Sequence, residues 1–159
     1  MTNLRCLVVA QPYASLIASG HKRWEFRAYE AKYSGRIGIA ASHTTPWRTR
    51  SFDLNRISVG LPRGVVLATA DLIDTFFVTS DDLRKRITEP LEITLIGQKL
   101  TTYGEPIGEP IEDVKAAIAN KNWNSYAWVL DNVQPLDFPI SYQRNSLSTR
   151  TTWVTVDIP

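Results

Sequence analysis

Lys22, Glu25 and Arg27 stand in a stretch, Trp24-Glu25-Phe26-Arg27, whose aromatic and charged residues alternate as in a half-buried strand. Charge in such a strand needs a partner, a ligand or a function. Lys22 offers a compact point charge and Arg27 a planar fork, and both suit a phosphate or a polarised carbonyl. Glu25 either orients these cations or accepts a hydrogen bond from an amino group on a base edge. In an enzyme, Lys22 would stabilise developing negative charge and Glu25 would act as general base. The alternative is an ion triplet that only holds the strand's polar face. That is a poor return for folding, because desolvation offsets much of the attraction in a buried pair.

The elements that must position these residues follow from the flanking sequence. Leu4–Ala10 is a short apolar run and reads as a buried strand. Gln11-Pro12 breaks it, and Pro12 suits the first turn of a short helix that Gly20 stops. Lys22–Tyr29 returns to strand character, with Trp24 and Phe26 expected in the core and Glu25 and Arg27 toward something polar. Arg36–Ser42 reads as a strand in which Gly38 marks close backbone approach. Gly64–Phe77 is the longest strand signal, and its length predicts a bend or bulge near Asp71. A helix is expected from Thr79 through Arg84-Lys85-Arg86 and another over Pro110–Asn120, with a short one allowed within 43–60. Gly97–Glu109 reads as loop. Strands follow over Trp123–Val133 and Trp153–Ile158, separated by a polar, turn-rich Tyr142–Thr152. Strands outnumber helices, which favours a single α+β domain over 1–159, built on a curled or closed sheet.

Further candidates surround the triplet. Gln11 and Tyr13 lie at the helix start, where free N–H groups favour an anion, although Tyr13 also suits simple packing. Ser42 and His43 end the neighbouring strand, and His43 is a candidate proton shuttle or an exposed loop residue. Trp47 and Arg48 pair an aromatic with a cation, as base stacking and phosphate contact require. Asp71, at the expected bend, is placed facing the cleft, where it would pair with Lys22 or Arg27.

Composition excludes several classes. The chain has 159 residues, one cysteine and two histidines, so an internal disulfide is excluded and a zinc site disfavoured. No phosphate-binding glycine loop, dinucleotide fingerprint or nucleophile elbow is present. No cofactor is expected. No apolar run approaches a membrane span, and the first residues lack a secretory pattern, so a cytoplasmic protein is expected. Residues 1–70 carry ten Lys/Arg against three Asp/Glu, and 71–159 carry eight against thirteen. That asymmetry suits a basic face for a nucleic acid, unless the fold interleaves the halves.

Gln11-Pro12-Tyr13-Ala14 followed by G-x-K-x-x-E-x-R over Gly20–Arg27 resembles the ASCH domain family, a branch of the PUA-like β-barrels. The strand ending at Ser42, the long strand carrying Asp71 and Tyr126-Ala127-Trp128-Val129-Leu130 match in order. The arrangement is most similar to the endothelial-overexpressed ASCH proteins and their bacterial relatives. The resemblance implies a small β-barrel with peripheral helices and a cleft beside the motif that takes RNA or a modified nucleobase. It also allows a metal-independent hydrolase, since some members cleave RNA and one bacterial branch deacetylates acetylated cytidine with a lysine, a threonine and a glutamate. That lysine corresponds to Lys22, but Glu25 stands where the threonine would be. Binding is therefore preferred over that chemistry. A protein-interaction adaptor that has lost the ligand is the remaining alternative.

Overall fold

The structure, a computed structural model, describes residues 1–44, 58–78, 90–95, 98–103, 125–144 and 152–159. Eight strands and one helix are found there: β1 Thr2–Val9, α1 Tyr13–Ala18, β2 Trp24–Arg27, β3 Gly35–Ala41, β4 Val65–Val78, β5 Pro90–Leu95, β6 Gln98–Tyr103, β7 Ser125–Ser141 and β8 Trp153–Ile158. The expected helices at 79–86 and Pro110–Asn120, any helix within 45–57, and Trp47 and Arg48 lie outside the described residues.

Six strands form one mixed sheet in the order β2-β7-β4-β3-β1-β8, and β5 pairs only with β6. Only β1 and β3 run parallel. Their crossover contains α1, which buries Ala14, Leu16 and Ile17 and packs Ala14 and Ile17 into the sheet's core. Gly38 sits opposite Cys6 in the parallel pairing of β1 and β3. A Cβ there would collide with the Sγ of buried Cys6, so glycine is required by contact. Burial pushes that thiol up to about 11.

The expected bulge is present. The β4–β7 register shifts between Thr69 and Asp71 and again between Leu72 and Asp74. Two other expectations are corrected. Residues 98–103, read as loop, form β6 opposite β5. The strand expected to end at Val133 runs on to Ser141 through Pro135 and Pro139. Proline is tolerated because, among the described residues, β2 covers β7 only at Tyr126–Val129, leaving the later part of β7 with one paired side.

Among the described residues no backbone ladder joins the edge strands β2 and β8, so the sheet is curled and not closed by pairing. Side chains bridge the seam. Arg27 Nη2 donates to the Val8 carbonyl at 2.7 Å, and the Tyr29 and Thr152 hydroxyls bond each other. Trp128 on β7 stacks on Trp153 on β8, 5.8 Å apart and 25° from parallel. The indole Nε1 of Trp128 also donates to the Tyr29 carbonyl at 2.9 Å. The core beneath is lined by Leu7, Ile17, Ile37, Ile39, Leu72 and Trp128, among others.

Candidate functional site

α1 ends as its sequence directs. Gly20 has φ +81°, His21 N–H donates to Leu16 O and Gly20 N–H to Ile17 O, which is a Schellman stop. Lys22 N–H also reaches Leu16 O at 3.1 Å, so the cap delivers Lys22 to the head of β2. Its side chain is fully buried. The ammonium lies 5.1 Å from the centroids of both the Tyr13 and Phe26 rings and 3.8 Å from Glu25 Oε2.

The two faces of β2 divide as the alternation predicts, and Trp24 is buried as expected, but the charged face does not meet the polar surroundings expected of it. Glu25 lies opposite Trp128 in register and Arg27 opposite Tyr126, and directly opposed residues share a face. The charged face of β2 is therefore the one turned toward the main core, at the sheet's seam. Trp24 is buried on the other face, edge-on to Phe76 at 5.1 Å and to Phe26 at 6.3 Å. An edge strand covered on both faces can bury charge on one and rings on the other.

Arg27 spends its guanidinium unevenly. Nη2 is bound to Val8 O, while Nε is buried without a hydrogen bond, 3.3 Å from Glu25 Oε1 in an ion-pair contact. Its plane lies over Trp128, 5.9 Å from the ring centroid. Glu25 accepts no hydrogen bond among the described residues and is held by Coulomb contact with Lys22 and Arg27 alone. A mostly buried carboxylate with open lone pairs, two cations and the rings of Tyr13, Phe26 and Trp128 thus meet at one strand. Trp128 and Phe26 were not among the expected site residues. The period-two alternation along Tyr126–Leu130 put Trp128 in a strand, but only the register set it opposite Glu25.

The other expected residues go elsewhere. The amide of Gln11 is committed at both ends, donating to Pro62 O at 2.7 Å and accepting from Ser15 N–H at 3.1 Å. Ala14 N–H is taken by Ala10 O, so the N-terminal donors expected to attract an anion are spent internally. Ser42 bonds Thr44 at 2.7 Å, and its N–H reaches Val9 O, one residue beyond the carbonyl that Arg27 uses. His43 packs edge-on against Tyr142 at 4.6 Å and over Gly64, with no hydrogen bond or ion pair to Lys22 or Glu25. Asp71 is not in the cleft. Its cross-strand partner on β3 is Arg36, to which it is ion-paired at 3.0 Å, and Asn132 donates to its other oxygen at 2.9 Å. The β3–β4 register sets Asp71 beside Arg36, and it pairs with neither Lys22 nor Arg27. Among the described residues no group of three or more His, Cys, Asp or Glu is placed to hold a metal, and no helix is long and apolar enough to cross a membrane.

The chain belongs to the ASCH domain family, which matches residues 7–139. Its fold is similar to that of crystal structures of the ASCH protein from Zymomonas mobilis. The unsubstituted protein aligns with TM-score 0.58 at 16% identity, covering 96% of this chain and 87% of that one. A tyrosine-to-phenylalanine mutant gives 0.58 at 16%, covering 96% and 89%, and a serine-to-alanine mutant 0.57 at 16%, covering 96% and 87%. No curated protein sequence matches.

Proposed function

We propose that this ASCH domain binds single-stranded or modified RNA by capturing one nucleobase at Lys22, Glu25 and Arg27. The observation that carries the reading is the unspent Glu25 carboxylate, flanked by two cations and walled by aromatic rings. An exocyclic amino group such as that of cytosine fits an open carboxylate. Lys22 takes a base carbonyl or a phosphate, and the partly exposed rings of Tyr13 and Phe26 beside it supply stacking worth about 1–3 kcal/mol per base. We further infer that the curled sheet completes the small PUA-like barrel of its family, with the seam between β2 and β8 as the cleft wall.

A second reading, a metal-independent ribonuclease or acetylated-cytidine amidohydrolase, draws on the 3.8 Å approach of Lys22 to Glu25, close enough for both to act on one bound group. Glu25 would take a proton from the attacking nucleophile and Lys22 would face the developing oxyanion. Its place in a position that is threonine in the deacetylating relatives favours binding.

The purified protein is titrated, in EDTA, with labelled single-stranded RNA and with acetylated cytidine. Binding without turnover, weakened by salt and lost in Lys22→Ala and Arg27→Ala, is the expected result. Turnover that vanishes in Lys22→Ala would replace it with the hydrolase. Binding of neither ligand would leave the adaptor.

A further inference from the structure

Three arginines on this sheet differ in how far their donors are spent. Arg36 gives hydrogen bonds to Asp71, the Asn132 carbonyl, Thr69 and Gln134. Arg27 gives one, to Val8 O, and keeps a buried ion-pair contact. Arg5, exposed on β1, gives no hydrogen bond and forms no ion pair among the described residues. It is held instead by rings. Its guanidinium carbon lies 4.9 Å from the Tyr33 centroid and 5.7 Å from that of Trp153. Asp157 on the adjacent strand β8 is engaged by Asn3. An arginine stacked on aromatic faces has its orientation fixed while its fork stays available to a planar or tetrahedral anion.

Arg5 is also in line with the candidate cleft. Trp153, which it covers, stacks on Trp128, and Trp128 lies beneath Arg27. Tyr29, 46% exposed, stands edge-on to the same Trp128 at 5.8 Å. Two cations and a row of rings therefore run along the seam from Arg27 to Arg5. A single nucleoside seated at Glu25 does not reach past both indoles. A strand of several nucleotides does, laying phosphates along the seam and a flanking base against Tyr29. Alternation of aromatic faces with guanidinium groups is the chemistry that tracks a single-stranded backbone without reading its sequence.

We propose that Arg5, fixed over Tyr33 and Trp153, is a phosphate-receiving subsite for nucleotides flanking the one held at Lys22, Glu25 and Arg27. The proposal rests on the nucleobase reading above and extends it to ligand length: this domain takes a short single strand and not a free nucleoside alone. The Tyr29 edge is the second element of the subsite.

The test compares cytidine, a cytidine trinucleotide and a cytidine pentanucleotide on wild type, Arg5→Gln and Lys22→Ala, with melting curves confirming that each variant is folded. Wild type gains affinity from nucleoside to oligonucleotide. Arg5→Gln loses about two- to fivefold of that gain, as expected for one exposed charge contact. Its slope of log K against log salt shrinks by about 0.7, the value for one phosphate on a single strand. An oligonucleotide that binds no better than cytidine, or a gain that survives intact in Arg5→Gln, overturns the subsite while leaving the nucleobase reading standing. If neither cytidine nor oligonucleotide binds wild type, the nucleobase reading falls and the subsite falls with it. Arg5→Lys separates charge from stacked fork: it restores the salt slope, and a subsite built on the fork recovers less affinity than slope.

Discussion

Two clusters of charge sit on this one sheet and are built in opposite ways. At the β4 bulge, Arg36 is partly exposed and both of its terminal nitrogens are engaged: Asp71, Asn132, Thr69 and Gln134 all accept from it, and Asn132 adds a bond to Asp71. The cluster ties β3, β4 and β7 together across their register shifts, with Asn132 at φ +46° turning its carbonyl and side chain to the same center. At the head of β2 the reverse holds. Lys22 is fully buried, Glu25 nearly so, and Arg27 carries a buried Nε with no hydrogen bond. Folding selects for satisfied polar groups, and an unsatisfied buried one is expensive. The partly exposed charge at Arg36 has been bonded internally, whereas the buried carboxylate of Glu25 and the Nε of Arg27 are left with ion-pair contacts and no hydrogen bond among the described residues. The first pattern is what holding a strand register requires; the second is what a ligand site requires.

The strongest way to break this contrast is to remove the buried triplet. In Lys22→Met/Glu25→Leu/Arg27→Met, apolar side chains replace all three charges together, so Arg27 is not left without its anion. Such replacements range from neutral to about 4 kcal/mol stabilising. The triple variant is therefore expected to unfold in urea at or above the wild-type midpoint while RNA binding drops at least about tenfold. A triple variant that unfolds markedly earlier would make the β2 cluster a structural device like the one at Arg36, and the contrast would collapse.

The reciprocal substitution sharpens it. Arg36→Met removes four hydrogen bonds from groups that water can reach, so the cost is modest. A melting temperature lower by about 2–4 °C is expected, with RNA affinity unchanged in the same titration. Loss of RNA binding in Arg36→Met would place the bulge in the ligand site after all.

How much of this was legible in the sequence follows from how local each signal is. Gly20 as a helix stop, Gly38 as a close approach and Trp153–Ile158 as a strand each depend on a few neighbouring residues, and each is found. The motif of Lys22, Glu25 and Arg27 was visible for the same reason. What sequence did not supply was register. Glu25 faces Trp128, and Asp71 faces Arg36, only because β2, β3, β4 and β7 pair as they do. A one-residue shift in pairing reverses every such neighbour, so the placing of Asp71 in the cleft failed, while Trp24, whose burial follows from local alternation, is in the core as expected. Pro135 and Pro139 hid the second half of β7, since proline argues against a strand unless one side is unpaired. Arg5 gave no signal at all. Its importance lies in Tyr33 and Trp153, one remote in sequence by a few tens of residues and the other at the far end of the chain.

The smallest effect separates the clusters by pH. The hydrogen bond from Asn132, and then the hydrogen bond and charge of Arg36, hold the Asp71 carboxyl below its ordinary 3.8. A carboxyl with a lowered folded-state value binds its proton more weakly folded than unfolded. It therefore contributes stability above the unfolded value, and that contribution fades as pH falls through the folded one. Asp71→Asn removes the titrating group and leaves the backbone of the bulge in place. The melting-temperature gap between wild type and Asp71→Asn should be flat from neutral pH to about pH 5 and then narrow as acid is added, closing below the lowered value. Other carboxylates titrate in both proteins and cancel in the difference. A gap that stays constant through the acid range, or widens, would mean that Asp71 is not held by Asn132 and Arg36 in solution. The bulge cluster would then lose its claim to be the satisfied member of the pair.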